Sequence, residues 1–144
     1  MTYEEVKNLL KNIRGKQARL KAVLSYIIER RALIEGVGAV NYDKVSVKSS
    51  PGNSTEERYV REMDRLKDLQ QRYDVLHEDL CKDDELIFEL MKALDAEEYE
   101  VILNRYLRGL SPRKTAKLMN YSEEWVYLTQ RTAIEKMSKM KGLQ

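Results

Sequence analysis

The chain of 144 residues has few of the residue types that build disulfides, metal sites or common catalytic motifs. Its one cysteine, Cys81, cannot form an internal disulfide, so the sequence gives no reason to expect an oxidising compartment. Its one histidine, His77, has no histidine or cysteine partner with which to bind zinc. A glycine-rich phosphate loop and a Ser-x-Gly elbow are missing, and adjacent acids such as Glu97 and Glu98 point apart on a helix. We therefore expect neither an enzyme nor a bound cofactor or metal.

Long apolar runs are absent too. None approaches the roughly 18 residues that a membrane span requires. The N-terminus also lacks the charged-then-apolar pattern of a signal peptide. We expect a soluble, cytoplasmic protein that has no membrane partner.

What the chain does have is a helix-forming balance of charged and apolar residues. Charged residues make up 35% and apolar residues 42%, with six glycines and two prolines. The net charge of +2 does not by itself indicate nucleic-acid binding. The charge is unevenly distributed, however: residues 56–94 carry seven Lys/Arg against twelve acids, and residues 111–144 carry seven against three. The C-terminal part is therefore locally basic.

Two amphipathic helices are predicted in the first 94 residues. One runs from Tyr3 to about Ile34 and the other from about Thr55 to Leu94. The heptad-like positions of the first are Val6, Leu10, Ile13, Gln17, Leu20, Leu24, Ile27, Arg31 and Ile34. Those of the second are Leu66, Leu69, Tyr73, Leu76, Leu80, Ile87, Leu90 and Leu94. Because a single apolar stripe needs a partner, we expect a coiled-coil-like antiparallel hairpin that also forms a homodimer.

Residues 36–55 are predicted to link the two helices. Gly36 and Gly38 are expected to end the first helix, and the Ser-Ser-Pro-Gly-Asn-Ser run is typical of turns. Ser54 or Thr55, followed by acids, is a suitable N-cap for the second helix. The connection is long for a helical hairpin, so it is either a flexible linker, which its Ser and Gly content favours, or a functional loop.

The C-terminal segment is predicted to form three helices. Asp95 and Glu98 have the spacing of a capping box at the start of the first. The later signals are Gly109 after the first helix, Ser111-Pro112 at the start of the second, Asn120 in a left-handed turn, and Ser122 as cap of a third helix to about Met140.

The second and third of these helices have the spacing of a helix-turn-helix. Ala116 supplies a small residue where the helices cross, Asn120 occupies the turn position that glycine usually takes, and Val126 the buried position after it. The anchoring stripe further along consists of Ala133, Ile134 and Met137, interrupted by the polar Thr129 and Gln130.

This segment resembles region 4 of bacterial sigma factors. The resemblance rests on the run from Leu94 to Ser111, above all Arg105-Tyr106-x-x-Gly109-x-Ser111. It extends to Ala116, Ser122, Val126, Ala133 and Met137. It implies a module that recognises the −35 promoter element and touches RNA polymerase.

The arrangement of the whole chain is similar to small phage-encoded transcriptional regulators of Gram-positive bacteria, of the autolysin-regulator and late-gene-activator types. In these, a helical N-terminal half and a Tyr-Asp-Lys-Val…Ser-Ser-Pro linker, here Tyr42 to Pro51, precede the sigma-like tail. The chain departs from the pattern at Thr115, where isoleucine or valine is usual, and in the acidic pair Glu123 and Glu124.

Nine residues are predicted to contact DNA. Arg131 is suited to pairing with guanine, and Glu123 or Glu124 either accepts from cytosine N4 or only compensates the helix dipole. The residues predicted on the reading face are Ser122, Glu123, Glu124, Tyr127, Leu128 and Arg131. Those predicted either to bind phosphates or to form a solvated basic face are Arg113, Lys114 and Lys117. Trp125 is expected to pack against the first helix of the module rather than to stack on bases.

The sequence thus predicts an all-α protein with a helical hairpin over residues 1–94 and a trihelical helix-turn-helix module over residues 95–144. Its predicted function is that of a sequence-specific transcriptional regulator that binds double-stranded DNA, with RNA polymerase as a second partner. Two alternatives remain open: a phage small-terminase-like DNA-packaging protein, and a polymerase-binding interaction protein without base readout.

Overall fold

The computed structural model describes residues 1–41 and 55–140, with side chains for residues 1–35 and 55–140. The α-helices of this described part are α1 (Tyr3–Asn41), α2 (Thr55–Met91), α3 (Ala96–Ile102), α4 (Pro112–Met119) and α5 (Glu123–Ser138). A π-helical turn, Leu103–Leu107, continues directly from α3. No strand occurs within these ranges, so the predicted all-α class is confirmed. None of the described helices is both long enough and apolar enough to cross a membrane.

Helix α1 is longer than predicted. It continues through Gly36 and Gly38 to Asn41, so the expectation that these glycines end it is wrong. A glycine inside a helix costs only about 1 kcal/mol relative to alanine, which weakens a helix without ending it. Residues 42–54 of the predicted linker, including the Tyr42–Pro51 segment of the resemblance, lie outside the described residues.

The chain divides into two compact units. Unit 1 combines Met1–Ala18 with Asp79–Gln144, and unit 2 comprises Arg19–Glu78. The first turns of α1 therefore belong to the same unit as the C-terminal helices. The domain boundary predicted between residues 94 and 95 falls inside unit 1.

Unit 2 is built from parts of α1 and α2 around a small apolar core. Ile27, Ile34 and Leu66 are buried there. The partly buried residues packed against them are Val23, Met63, Leu69 and Tyr73. Leu24, predicted to lie on the apolar seam, is 41% exposed, and Val23 packs in its place. The buried stripe in this part of α1 follows Val23, Ile27 and Ile34.

Unit 1 contains the larger core. Its side chains with no or almost no exposed surface include Val6, Leu10, Ile13, Ile87, Leu90, Met91, Val101, Ile102, Ile134 and Met137. Burying each such side chain contributes about 1.5–3 kcal/mol. Lys16 of α1 forms ion pairs with Asp79 and Asp83 of α2, with Nζ 2.8 Å from the Asp79 carboxylate. These hydrogen bonds raise the pKa of the Lys16 ammonium above its ordinary value.

Candidate nucleic-acid interface

The helix-turn-helix segment is held in place by α3, whose start is fixed by a capping box. Asp95 Oδ1 accepts a hydrogen bond from the Glu98 amide at 2.9 Å, and Glu98 Oε1 accepts one from the Asp95 amide at 3.0 Å. The predicted capping box is thus confirmed. The buried Glu98 carboxylate also accepts a 2.7 Å hydrogen bond from Lys136 Nζ. One side chain therefore caps α3 and ties it to the last turn of α5.

The π-helical turn after α3 was not predicted. The Arg108 amide donates to the Leu103 carbonyl and the Leu110 amide to the Asn104 carbonyl, each at 2.8 Å. Gly109 follows with a φ of +72°, the left-handed conformation predicted for it as the residue that ends the helix. The π-helical turn is therefore followed directly by the short connection before α4.

Arg105, within this turn, links three parts of the module. Its Nε donates to Gln130 Oε1 of α5 at 2.9 Å, and its Nη1 donates to the Leu110 carbonyl at 2.7 Å. This role was not predicted, although Gln130 gave a signal as a polar residue at a position where an apolar one was expected. Gln130 is half-buried, and its side-chain carbonyl accepts the hydrogen bond from Arg105.

Helices α4 and α5 are joined by the three residues Asn120 to Ser122. Ser111 caps α4 by accepting from the Lys114 amide at 3.1 Å, and Pro112 occupies its first turn. Asn120 has φ 61° and ψ 41°, which is the predicted left-handed turn conformation. Ser122 then caps α5 by accepting from the Trp125 amide at 3.1 Å. All of these predicted start and stop signals are confirmed.

The two helices cross at a small buried cluster. It consists of Val101, Ala116 and Val126, with Met119 and Trp125 packed against it. The Trp125 ring also stacks on Tyr121, with ring centroids 3.6 Å apart and planes 12° apart. The Tyr121 hydroxyl donates to Glu97 Oε1 of α3 at 2.7 Å. Trp125 thus packs within the module, as predicted, whereas the link through Tyr121 was not foreseen.

Helix α5 has a buried side and an exposed side. Its buried residues are Val126, Ala133, Ile134 and Met137. All nine residues predicted to contact DNA are exposed: Arg113, Lys114, Lys117, Ser122, Glu123, Glu124, Tyr127, Leu128 and Arg131. Tyr127 and Leu128 stand out because 54% and 64% of their surface is exposed despite their apolar character. Six of the nine are Ser122 and residues of α5, and the other three belong to α4.

The charged side chains on this surface are only weakly neutralised by other side chains of the protein. Arg131 Nε lies 3.6 Å from Glu135 Oε1, but the Arg131 side chain is 72% exposed. An exposed pair at this distance contributes little to stability, so the guanidinium can exchange partners at small cost. Glu123 and Glu124 occupy the first turn of α5, where the helix dipole stabilises negative charge. The surface is therefore acidic at one end of α5 and basic along α4.

Comparisons with protein-family models, with curated proteins and with solved structures give no match for this chain. Within the described ranges, no group of three or more His, Cys, Asp or Glu side chains is arranged to hold a metal ion.

Proposed function

We propose that the chain is a sequence-specific DNA-binding transcriptional regulator that inserts α5 into the major groove. The main support is one observation: α5 is anchored on its buried side, while the six residues predicted to read bases are exposed together at its start and along its free side. A recognition helix requires this division between an anchored and a free side. The finer architecture belongs to this proposal: a helical hairpin followed by a trihelical helix-turn-helix module.

Within this proposal the basic and polar residues have separate roles. Arg131 reads guanine through its guanidinium, whose five donors fit a bidentate contact. Lys114 and Lys117 of α4, together with Arg113, bind phosphates and so fix the orientation of the module on the duplex. Glu123 and Glu124 disfavour non-specific approach of phosphates to the start of α5. Their presence therefore favours selective over general DNA binding.

The resemblance to sigma region 4 and to phage regulators is the basis for placing this activity at promoters in the cytoplasm. The capping box at Asp95, the half-buried Arg105 and the left-handed Gly109 support it, because the residues that carry the resemblance have structural roles in the module. RNA polymerase is then the natural second partner. No catalytic role is part of the proposal.

We also propose that unit 2 forms a homodimer. Its two helix segments bury few apolar residues between them and leave several large ones exposed: Leu24, Tyr26, Ile28, Val60 and Val75. A second copy would cover part of this surface. Two linked modules on one promoter would also bind more tightly than one, because the second binds at a high effective concentration.

Selection of fragments from a random DNA pool by the purified chain tests the proposal. We expect one enriched motif, and a dimer should yield two half-sites spaced by about one helical turn. The Arg131→Ala variant should lose enrichment at one position of the motif. Recovery of fragments without any common motif would contradict sequence-specific binding. Light scattering on the same sample separates a dimer from the large ring expected of a small terminase subunit.

A polymerase-binding protein without base readout is the second candidate, and one observation favours it. Leu118, Tyr127 and Leu128 are 56%, 54% and 64% exposed, which is a large apolar share for a DNA-reading surface. In that case the chain would retain RNA polymerase on a column but enrich no DNA motif. Substituting Leu118 and Leu128 by serine would then abolish retention, whereas Lys114→Ala would not.

A further inference from the structure

Unit 2 contains a pocket whose lining is rich in arginine. The pocket has a volume of about 400 Å³ and lies between α1 and the first turns of α2. Arg30 of α1 and three arginines of α2, Arg58, Arg61 and Arg65, line it. None of these residues belongs to the predicted helix-turn-helix, so the function of this pocket is a separate question.

The pocket has an excess of positive charge. Glu62 is its single carboxylate among the described residues, and it forms an ion pair with Arg30 and lies 3.4 Å from Arg65. The hydrogen bond from Arg30 holds the pKa of Glu62 below its ordinary value, with smaller contributions from Arg65 and Arg61. Glu62 is therefore ionised at neutral pH, and the described lining residues carry four guanidinium groups and one carboxylate. Glu56 and Glu57 begin the same helix but do not line the pocket.

One wall of the pocket is apolar. Leu33 and Tyr59 line it and are 55% and 50% exposed, while Ile34, a third lining residue, is 8% exposed. A pocket that combines an apolar and aromatic wall with a few charged donors is the usual form of a small-molecule site. Guanidinium groups bind phosphate oxygens bidentately and also stack on flat rings, so a matching ligand carries both a phosphate and a ring.

We propose that this pocket binds a small phosphorylated organic anion of the nucleotide type, with its phosphates on the arginines and its ring against Tyr59. The volume is in the range of single-ligand sites, which begins at about 300 Å³. A duplex backbone would instead need an extended basic surface, because its charges recur along the whole length of the helix. The site gives the protein a binding activity that does not depend on whether the C-terminal module reads DNA.

Isothermal titration of the full chain with ADP and with pyrophosphate tests this inference. We expect saturable binding of both probes, with ADP the tighter because only it contacts the apolar wall. Arg58→Gln and Arg61→Gln should each weaken both probes about tenfold, the effect of losing one charge-assisted hydrogen bond. Tyr59→Ala should weaken ADP and leave pyrophosphate unchanged.

The matched control is Arg72→Gln, which removes an arginine from the same helix outside this pocket. Absence of saturable binding to the parent chain, or equal weakening in Arg72→Gln, would overturn the proposal. So would displacement of ADP by random-sequence duplex DNA, since the arginines would then be a backbone contact. Circular dichroism verifies that each variant is folded. If Arg61→Gln does not fold, Arg61→Lys replaces it, and an affinity equal to that of the parent would count against the bidentate contact.

Discussion

The Arg105 guanidinium donates to Gln130 Oε1 at 2.9 Å and so joins the turn after α3 to the middle of α5, 25 positions along the chain. A second hydrogen bond, from Arg105 Nη1 to the Leu110 carbonyl, fixes the connection that precedes α4. One half-buried cation thus helps to fix the position of the proposed recognition helix, together with the Glu98–Lys136 hydrogen bond and the buried side of α5.

We predict that Arg105→Ala lowers the free energy of unfolding by about 1.5–3 kcal/mol, since both of its hydrogen bonds involve a charged donor. Gln130→Ala removes only one of them and should cost less. Urea unfolding followed by circular dichroism gives both values. If the two losses are independent and simply add in the double variant, the pair does not interact as the geometry requires.

Gly109 gives a second prediction. Its φ of +72° costs an L-residue about 1–2 kcal/mol, so Gly109→Ala should destabilise the chain by that amount. An added Cβ would also lie 2.5 Å from Arg14 Nε, and the Arg14 side chain would have to move. In an Arg14→Ala background the cost of the contact should vanish while the backbone cost remains. An unchanged unfolding midpoint for Gly109→Ala would contradict the left-handed conformation.

For DNA binding, we predict that Arg131→Ala raises the free energy of binding to a selected site by about 1–3 kcal/mol. Glu135→Ala is the matched control, because it removes the partner of Arg131 and leaves the guanidinium. Gel-shift titration measures both. Equal binding by Arg131→Ala and the parent chain would remove Arg131 from the reading surface.

The lysines of α4 should act differently from Arg131. Lys114→Ala and Lys117→Ala should each reduce the slope of log affinity against log salt by about one unit, with little effect on sequence preference. Lys92→Ala, which removes an exposed lysine from outside the helix-turn-helix, serves as the control. If all three variants and the parent had the same slope, phosphate binding by Lys114 and Lys117 would be contradicted. These lysines would then form only a solvated basic face.

Stability should fall at alkaline pH partly because of Lys136. Its hydrogen bond to Glu98 raises the pKa of the Lys136 ammonium above the ordinary 10.5. The stabilisation is therefore complete below pH 10.5 and is lost as the pH rises through the raised value. Thermal unfolding across this range should show a smaller decline for Lys136→Met than for the parent. Lys16→Met should reduce the decline in the same way, because hydrogen bonds to Asp79 and Asp83 also raise the pKa of Lys16. Parallel declines for Lys136→Met and the parent would contradict a role for the Lys136–Glu98 pair.

The signals that the sequence predicted correctly are local ones. Ser111 and Ser122 accept hydrogen bonds from amides three residues away, and Asn120 adopts a conformation that its own side chain tolerates. Such features depend on a few neighbouring residues, so their positions can be read from the sequence. The exposure of the nine candidate residues follows from the same helical register.

The features that were missed depend on partners far along the chain or on small energy differences. Arg105 contacts Gln130 only when α3 and α5 are packed together. The π-helical turn has no local sequence pattern from which it could be predicted. Leu24 is exposed while its neighbour Val23 packs against the core, and a heptad count alone did not identify which of these two apolar residues faces inward. Gly36 remains helical because its cost is smaller than that of ending the helix there.

Trp125 is the only tryptophan of the chain, and it is half-buried at the start of α5. Its indole emission therefore originates wholly from the helix-turn-helix and needs no label. Because the ring is stacked on Tyr121, which in turn is tethered to Glu97, a shift of α5 against α3 would alter that stack. The fluorescence of the unmodified protein is thus an intrinsic optical readout of events at this surface.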